Sequence, residues 1–215
     1  METEIEAKWL DIDVDKMRVT LKAAGATLKS PERLMVRKNF DFDDKRLEKI
    51  GGWVRVRNEG DKITMSYKQL NDRSLHGTKE VSLTVNDFDS ACSFLETIGL
   101  PANNYQETKR ESWQLDGADI ELDTWPWIPS FMEIEAKDEA TLRAVAEKLG
   151  LDFAQALHGS VETAYQDKYD VTEEEIDNVV LVLVGGLFRC LTGWPGKPSL
   201  SRAGRAPGRS GKKIR

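Results

Sequence analysis

Charged residues recur in this chain at two-residue spacing, inside short runs whose intervening residues are apolar. Glu4-Ile5-Glu6-Ala7-Lys8 opens the sequence, and Arg55-Val56-Arg57, Glu80-Val81, Glu121-Leu122-Asp123 and Glu133-Ile134-Glu135 follow. Thr64, Ser66 and Lys68 alternate in the same way with Ile63, Met65 and Tyr67. Successive side chains of a strand leave opposite faces, so each run puts its charges on one face and its apolar residues on the other. One such strand reads as an ordinary solvent face. Compared with one another, however, some strands present only carboxylates and others only cations, whereas a solvated face mixes the signs. The set reads as the lining of a curved or closed sheet whose apolar face points outward. Arginine and lysine suit a polyphosphate, and clustered carboxylates suit a hard cation such as Mg²⁺ or Mn²⁺. Buried charges persist only when paired with one another or with ligands of opposite sign. The chemistry expected is a nucleotide or inorganic triphosphate bound with metal. The chain has no P-loop motif, which excludes a Walker-type phosphate site.

The elements that must position these residues are mostly strands. Alternating or β-rich runs fall near 3–9, 34–42, 53–58, 62–69, 79–85, 108–115, 119–125, 131–136 and 161–169. Asn58-Glu59-Gly60-Asp61 and Asp116-Gly117 read as hairpin turns. Three helices interrupt the strands. Asp13 to Ala24 carries Val14, Met17 and Leu21 on one face; Asn86 or Asp87 to Ile98 carries Phe88, Ala91 and Leu95; Asp138 to Leu149 carries Leu142 and Val145. Each stops at a glycine: Gly25, Gly99 or Gly150. A fourth is expected from Thr172, where Thr172 and Glu175 form a capping box. The apolar stripes of the helices need a partner, and the outer face of the sheet supplies one. Glu-Ile-Glu-Ala-Lys occurs twice, at 4–8 and 133–137, each time as a strand followed by a helix. The repeat reads as two pseudo-equivalent halves of one antiparallel sheet.

Composition removes several classes. With 215 residues the chain can build a substantial core. All 37 acidic residues and 23 of the 31 basic ones lie in 1–184, and such a body repels nucleic acid and anionic membrane. Cys92 and Cys190 are the two cysteines and His76 and His158 the two histidines, too few for a disulfide scaffold or a thiolate or imidazole metal site. The longest apolar stretch, Val179–Val184, is far short of a membrane span, and no secretory leader is read. A reduced, cytoplasmic setting is expected, with no membrane or nucleic-acid partner; a homodimer is left open. Residues 185–215 differ sharply, holding 8 basic and no acidic residues, 7 of the 16 Gly and 3 of the 7 Pro. They read as a disordered basic tail following one domain over 1–180.

At this point the sequence resembles the CYTH domains, the triphosphate tunnel metalloenzymes. Glu4-x-Glu6-x-Lys8 matches their ExExK signature, and Arg55-x-Arg57, Lys68, Glu80, Lys109-Arg110, Asp123, Glu133-x-Glu135 and Lys168 follow in the family's order. The resemblance covers residues 1–180. It implies an α+β fold, an antiparallel eight-stranded β tunnel with helices packed outside. It also implies metal ligation by Glu4, Glu6, Asp123, Glu133 and Glu135, with Mg²⁺ or Mn²⁺ as cofactor. Lys8, Arg37, Arg55, Arg57, Lys68 and Arg110 would bind the substrate's phosphate oxygens, and Lys168 and Glu80 would have catalytic roles. Arg110 is chosen over Lys109 because it shares parity with the polar Ser112 and Gln114. Glu80 is a further acidic position. The two Glu pairs of the repeat are expected to face one metal from opposite halves.

Three functions are compatible with that lining. The first is metal-dependent hydrolysis of an inorganic, thiamine or nucleoside triphosphate. The second is cyclisation of ATP to cyclic AMP and pyrophosphate, as in class IV adenylyl cyclases. The third is binding of triphosphate or polyphosphate without turnover. They are ranked in that order, because a pure binder needs fewer carboxylates. Trp125-Pro126-Trp127 is read as an aromatic plug, Cys92 as an inert core thiol, and the 72–78 loop with His76 as a cover without catalytic function.

Overall fold

The computed structural model describes residues 1–172, 175–176, 180–184, 187–190 and 197–198. The strands are β1 (Glu2–Thr3), β2 (Glu6–Trp9), β3 (Thr27–Phe40), β4 (Gly52–Asn58), β5 (Ile63–Leu70), β6 (Thr78–Val85), β7 (Tyr105–Leu115), β8 (Ala118–Thr124), β9 (Phe131–Glu135), β10 (Tyr169–Asp170), β11 (Val180–Val184), β12 (Leu187–Cys190) and β13 (Lys197–Pro198). The helices are α1 (Val14–Ala23), α2 (Phe88–Thr97), α3 (Glu139–Lys148) and α4 (Glu162–Lys168).

Nine strands form one antiparallel path in the order β1-β6-β5-β4-β3-β7-β8-β9-β2. Its two ends belong to a single N-terminal segment, because only Glu4 and Ile5 separate β1 from β2. The sheet therefore curls: the Glu4 N–H donates to the Thr78 carbonyl on one side (3.0 Å), and the Ala136 N–H donates to the Ile5 carbonyl on the other (3.1 Å). The fold class is α+β, as expected, although the N-terminal run is split into two short strands. Beyond the path, β11 pairs in parallel with the start of β7 and antiparallel with β12. The expected tail over 185–215 lies mostly outside the described residues; within it, Leu187–Cys190 and Lys197–Pro198 form strands.

Local sequence explains most of these elements. Asp13, Asp87 and Asp138 cap α1, α2 and α3, each side chain accepting an N–H three residues on. The β7–β8 hairpin turns on Asp116 and Gly117, both at positive φ (49° and 87°), the geometry that a two-residue turn demands. The Thr172–Glu175 capping box forms, with the Thr172 N–H donating to Glu175 Oε2 (2.8 Å) and the Glu175 N–H to Thr172 Oγ1 (3.1 Å).

Two expectations fail. β3 starts at Thr27, well before residue 34, and its first half shifts register between Leu28 and Arg33 around Ser30-Pro31, which obscures the alternation. Of residues 161–169, expected as a strand, Glu162–Lys168 form α4, and only Tyr169 is in a strand, β10. There Ala164 and Tyr165 are buried against Trp125, Ile128 and Phe131, and the Tyr165 hydroxyl donates to the Pro126 carbonyl at 2.8 Å.

The apolar outer face supports the helices. Ala7, Ile120, Leu122, Met132 and Ile134 pack with Leu21 of α1 and Leu142 and Val145 of α3. Phe40 and Val56 pack with Cys92 and Leu95 of α2. The cover is incomplete, since Val81 and Leu83 on β6 stay 51% and 49% exposed. Arg18 clamps α1 to the sheet through three guanidinium bonds to Glu111 on β7, at 2.8–3.2 Å.

Candidate active site

The inward face of the curled sheet encloses a cavity of about 360 Å³. Eleven of the thirteen expected site residues line it: Glu4, Glu6, Lys8, Arg37, Arg55, Arg57, Lys68, Glu80, Arg110, Glu133 and Glu135. They come from β2, β3, β4, β5, β6, β7 and β9 and from the link between β1 and β2, all through strand alternation.

The two copies of Glu-Ile-Glu-Ala-Lys lie side by side, not on opposite walls. β2 and β9 are antiparallel neighbours, with Glu6 opposite Glu135 and Lys8 opposite Glu133. Lys8 is almost wholly buried between Glu6 (2.7 Å), Glu133 (3.2 Å) and the Gly159 carbonyl (2.7 Å). Burial works against its ammonium, but the two carboxylates raise its pKa above the ordinary lysine range. Lys68 bridges Glu4 (2.7 and 2.9 Å) and Glu80 (3.3 Å).

Four guanidiniums form the cationic wall, and their partners differ. Arg110 donates to Asp123 through Nε (2.8 Å) and Nη2, and to Glu133 (2.7 Å). Arg57 donates twice to Glu59, at 3.1 and 2.7 Å. Arg55 reaches Glu80 only at 3.6 Å, and its Nε has no partner. Arg37 makes no ion pair among the described residues. Its Nη2 donates to Thr108 Oγ1 (3.0 Å), its Nε is unpartnered, and its guanidinium stacks on Trp125 at 4.4 Å. Burial, followed by the charges of Arg57, Arg55 and Arg110, holds the Arg37 pKa well below the usual arginine range. Burial and Arg57 bring Arg55 down to about 10.

Two expected residues stand elsewhere. Asp123, expected to ligate metal, does not line the cavity. It is fully buried in register with Arg110 and both its oxygens are taken by that guanidinium, so it orients Arg110. Lys168 ends α4 and lines a separate, smaller cavity with Leu10, Asp11 and Pro129. The helical period, replacing strand alternation, sends Val161 and Glu162 to the main cavity and Lys168 away from it. Lys168→Ala is accordingly expected to change tripolyphosphate affinity by no more than about twofold in calorimetric titration. A tenfold loss would bring Lys168 back to the site.

Glu121, read with Asp123 among the inward charges but given no role, lines the cavity. Sequence reasoning left out other residues. Asn104 and Gln106 also line the cavity, but they carry no charge signal. Trp125, read as a plug, is a buried wall of the cavity, and its indole Nε1 is unpartnered.

The acidic side suits a divalent cation. Glu6 and Glu135 are directly opposed like charges, an unfavourable cross-strand pair. Burial, then Glu6, raises the Glu135 carboxyl above its usual range. Burial and the neighbouring Glu80 raise the Glu4 carboxyl well above its usual range, against the opposing pull of Lys68. Among the described residues no group of three or more His, Cys, Asp or Glu is placed to hold a metal as it stands. Mg²⁺ is commonly held by one or two carboxylates together with substrate phosphates and water, and crowded carboxylate pairs fit that demand.

A curled antiparallel sheet that collects arginines and carboxylates round one cavity, with helices on its apolar face, defines an α+β protein with a densely charged interior cavity. The sequence profile of the CYTH domain matches residues 2–167, and the chain belongs to that family. Among solved structures, a candidate adenylate cyclase from Vibrio parahaemolyticus is similar at 18% identity and a TM-score of 0.66, over 77% of this chain and 98% of that one. A Pyrococcus horikoshii protein is similar at 20% identity and TM-score 0.59, over 71% and 93%. A candidate adenylyl cyclase from Hippeastrum, described as having a dominant triphosphatase activity, is similar at 15% and 0.54, over 76% and 95%. These likenesses are of fold. No curated protein matches the chain significantly. Among the described residues no helix is long and apolar enough to cross a membrane.

Proposed function

We propose that the protein is a divalent-metal-dependent hydrolase of a triphosphate, inorganic, thiamine or nucleoside, held inside the sheet acting as a closed eight-stranded tunnel. One observation carries the reading: Arg37 is a buried guanidinium with no carboxylate partner among the described residues, directly opposite Arg57 in register and close to Arg55 and Arg110. Directly opposed like charges destabilise a sheet, and an unpaired buried charge is expensive. A polyphosphate removes both penalties. Triphosphatase activity in the Hippeastrum relative agrees with this reading.

Glu4, Glu6, Glu80 and Glu135 would hold Mg²⁺ or Mn²⁺, which supplies charge neutralisation at the phosphate oxygens and an activated water. Arg37 and Arg55, with unpartnered Nε atoms, grip phosphoryl oxygens first. Arg57 and Arg110, half occupied by their own carboxylates, contribute their remaining N–H groups. Lys8, locked in place by Glu6 and Glu133, is a fixed point charge beside the metal carboxylates. Burial opposes ionisation of Glu80, but Glu4, Lys68 and Arg55 hold it down to about 2. On the cavity wall, Glu80 would orient the attacking water as a hydrogen-bond acceptor. Trp125, stacked on the Arg37 guanidinium, keeps solvent from that side of it.

The test is a panel of tripolyphosphate, thiamine triphosphate and nucleoside triphosphates with Mg²⁺ or Mn²⁺, with product identification. Orthophosphate release that stops on chelation and returns with metal is expected. Cyclic nucleotide with pyrophosphate would replace this reading by cyclisation, and tight binding without products would replace it by sequestration.

A further inference from the structure

We propose that Glu59, in the turn between β4 and β5, is a positioning residue for the anion site, orienting Arg57 so that its remaining guanidinium edge meets the ligand. The inference rests on the triphosphate-binding reading above.

Glu59 is 5% exposed and does not line the cavity, whereas Arg57 does. One carboxylate oxygen, Oε1, accepts from Arg57 Nε (3.1 Å), Arg57 Nη2 (2.7 Å) and Thr64 Oγ1 (3.1 Å). The backbone of Glu59 is pinned as well. Its N–H donates to the Lys62 carbonyl (2.8 Å), and its carbonyl accepts from Arg33 Nε (2.8 Å). The carboxylate is thus a fixed post behind the wall. A guanidinium is a rigid planar fork, so holding two of its nitrogens sets the direction of the third. Arg57 needs such a hold, since Arg37 faces it directly across the strand pair. Left loose, its long side chain would turn away from that like charge.

A plain counter-charge role makes the opposite forecast. A carboxylate near an anion site repels the anion, so deleting a mere counter-ion would tighten binding. Positioning depends on the acceptor oxygen, and glutamine keeps one.

The experiment is calorimetric titration of the full chain with tripolyphosphate. Glu59→Ala should weaken binding roughly tenfold, and Glu59→Gln should stay within about threefold of the wild type. In an Arg57→Ala background, Glu59→Ala should add no further loss, because its effect passes through Arg57. If Glu59→Ala does not fold, Glu59→Asp replaces it, since shortening the side chain withdraws the oxygen from Arg57. Equal or tighter binding by Glu59→Ala, or a loss that persists without Arg57, overturns the inference alone. Failure of the wild type to bind tripolyphosphate overturns the triphosphate reading and the inference with it.

Discussion

Metal-dependent turnover should fall by at least about a hundredfold in the Glu4→Gln/Glu6→Gln protein, because several kcal/mol of transition-state charge stabilisation depend on the ion that these carboxylates help hold. The fold should survive. Lys68 loses Glu4 but keeps Glu80 at 3.3 Å, and Lys8 loses Glu6 but keeps Glu133 at 3.2 Å. Neither lysine is left as an unpaired buried charge, so a loss of about 1–3 kcal/mol is expected, read as a modest fall in melting temperature. Metal-free tripolyphosphate binding should not weaken, since two carboxylates are gone from an anion's surroundings. Three measurements therefore separate: turnover collapses, stability drops slightly, and metal-free affinity holds or rises. Retained metal-dependent turnover would remove Glu4 and Glu6 from the metal site.

Arg37→Met should move stability and affinity in opposite directions. Arg37 is 6% exposed, has no carboxylate partner among the described residues and sits among three other guanidiniums. Replacing buried ionic groups by well-packed apolar ones is often neutral or stabilising, by about 1–4 kcal/mol, and this exchange leaves no ion-pair partner of Arg37 behind among the described residues. Methionine can also keep the packing on Trp125 through a sulfur–aromatic contact. The loss of the Thr108 bond offsets part of that gain. The melting temperature of the ligand-free protein is expected to rise by a few degrees, at roughly 2–4 °C per kcal/mol for a chain of this size. Tripolyphosphate affinity is expected to fall about ten- to a hundredfold, the worth of one or more charge-assisted bonds. A destabilised Arg37→Met protein with unchanged affinity would mean that Arg37 serves the fold and not the ligand.

Arg57 illustrates how partners modify a role inferred from residue type. On spacing alone, Arg55 and Arg57 are equivalent, two residues apart on one strand face. In the folded chain Glu59 holds Nε and Nη2 of Arg57, whereas Nε of Arg55 is unpartnered. The two arginines therefore offer a phosphate different numbers of donors.

Alternation by itself determined which side chains face inward. A strand has a period of two whatever its neighbours do, so Glu6 and Lys8, Arg55 and Arg57, and Glu133 and Glu135 could be sorted from their own segments. Helices with an aspartate at one end and a glycine at the other were readable for the same reason, because capping is a matter of a few adjacent residues. The residues that carry the family resemblance could likewise be named before any contact was known. Pairing was not local. That the two Glu-Ile-Glu copies adjoin, that Arg37 opposes Arg57 without a carboxylate, and that Asp123 is taken by Arg110 depend on register between strands far apart in the chain. Lys168 failed at the other limit. Residues 161–169 contain β-branched and aromatic residues that read as a strand, but burial of Ala164 and Tyr165 against Trp125, Ile128 and Phe131 makes Glu162–Lys168 a helix and turns the lysine to another cavity. The chain's own pattern decided which face each strand side chain takes. Which charge meets which was decided only by tertiary contact, because electrostatic partnership depends on distance in space and not on separation along the sequence.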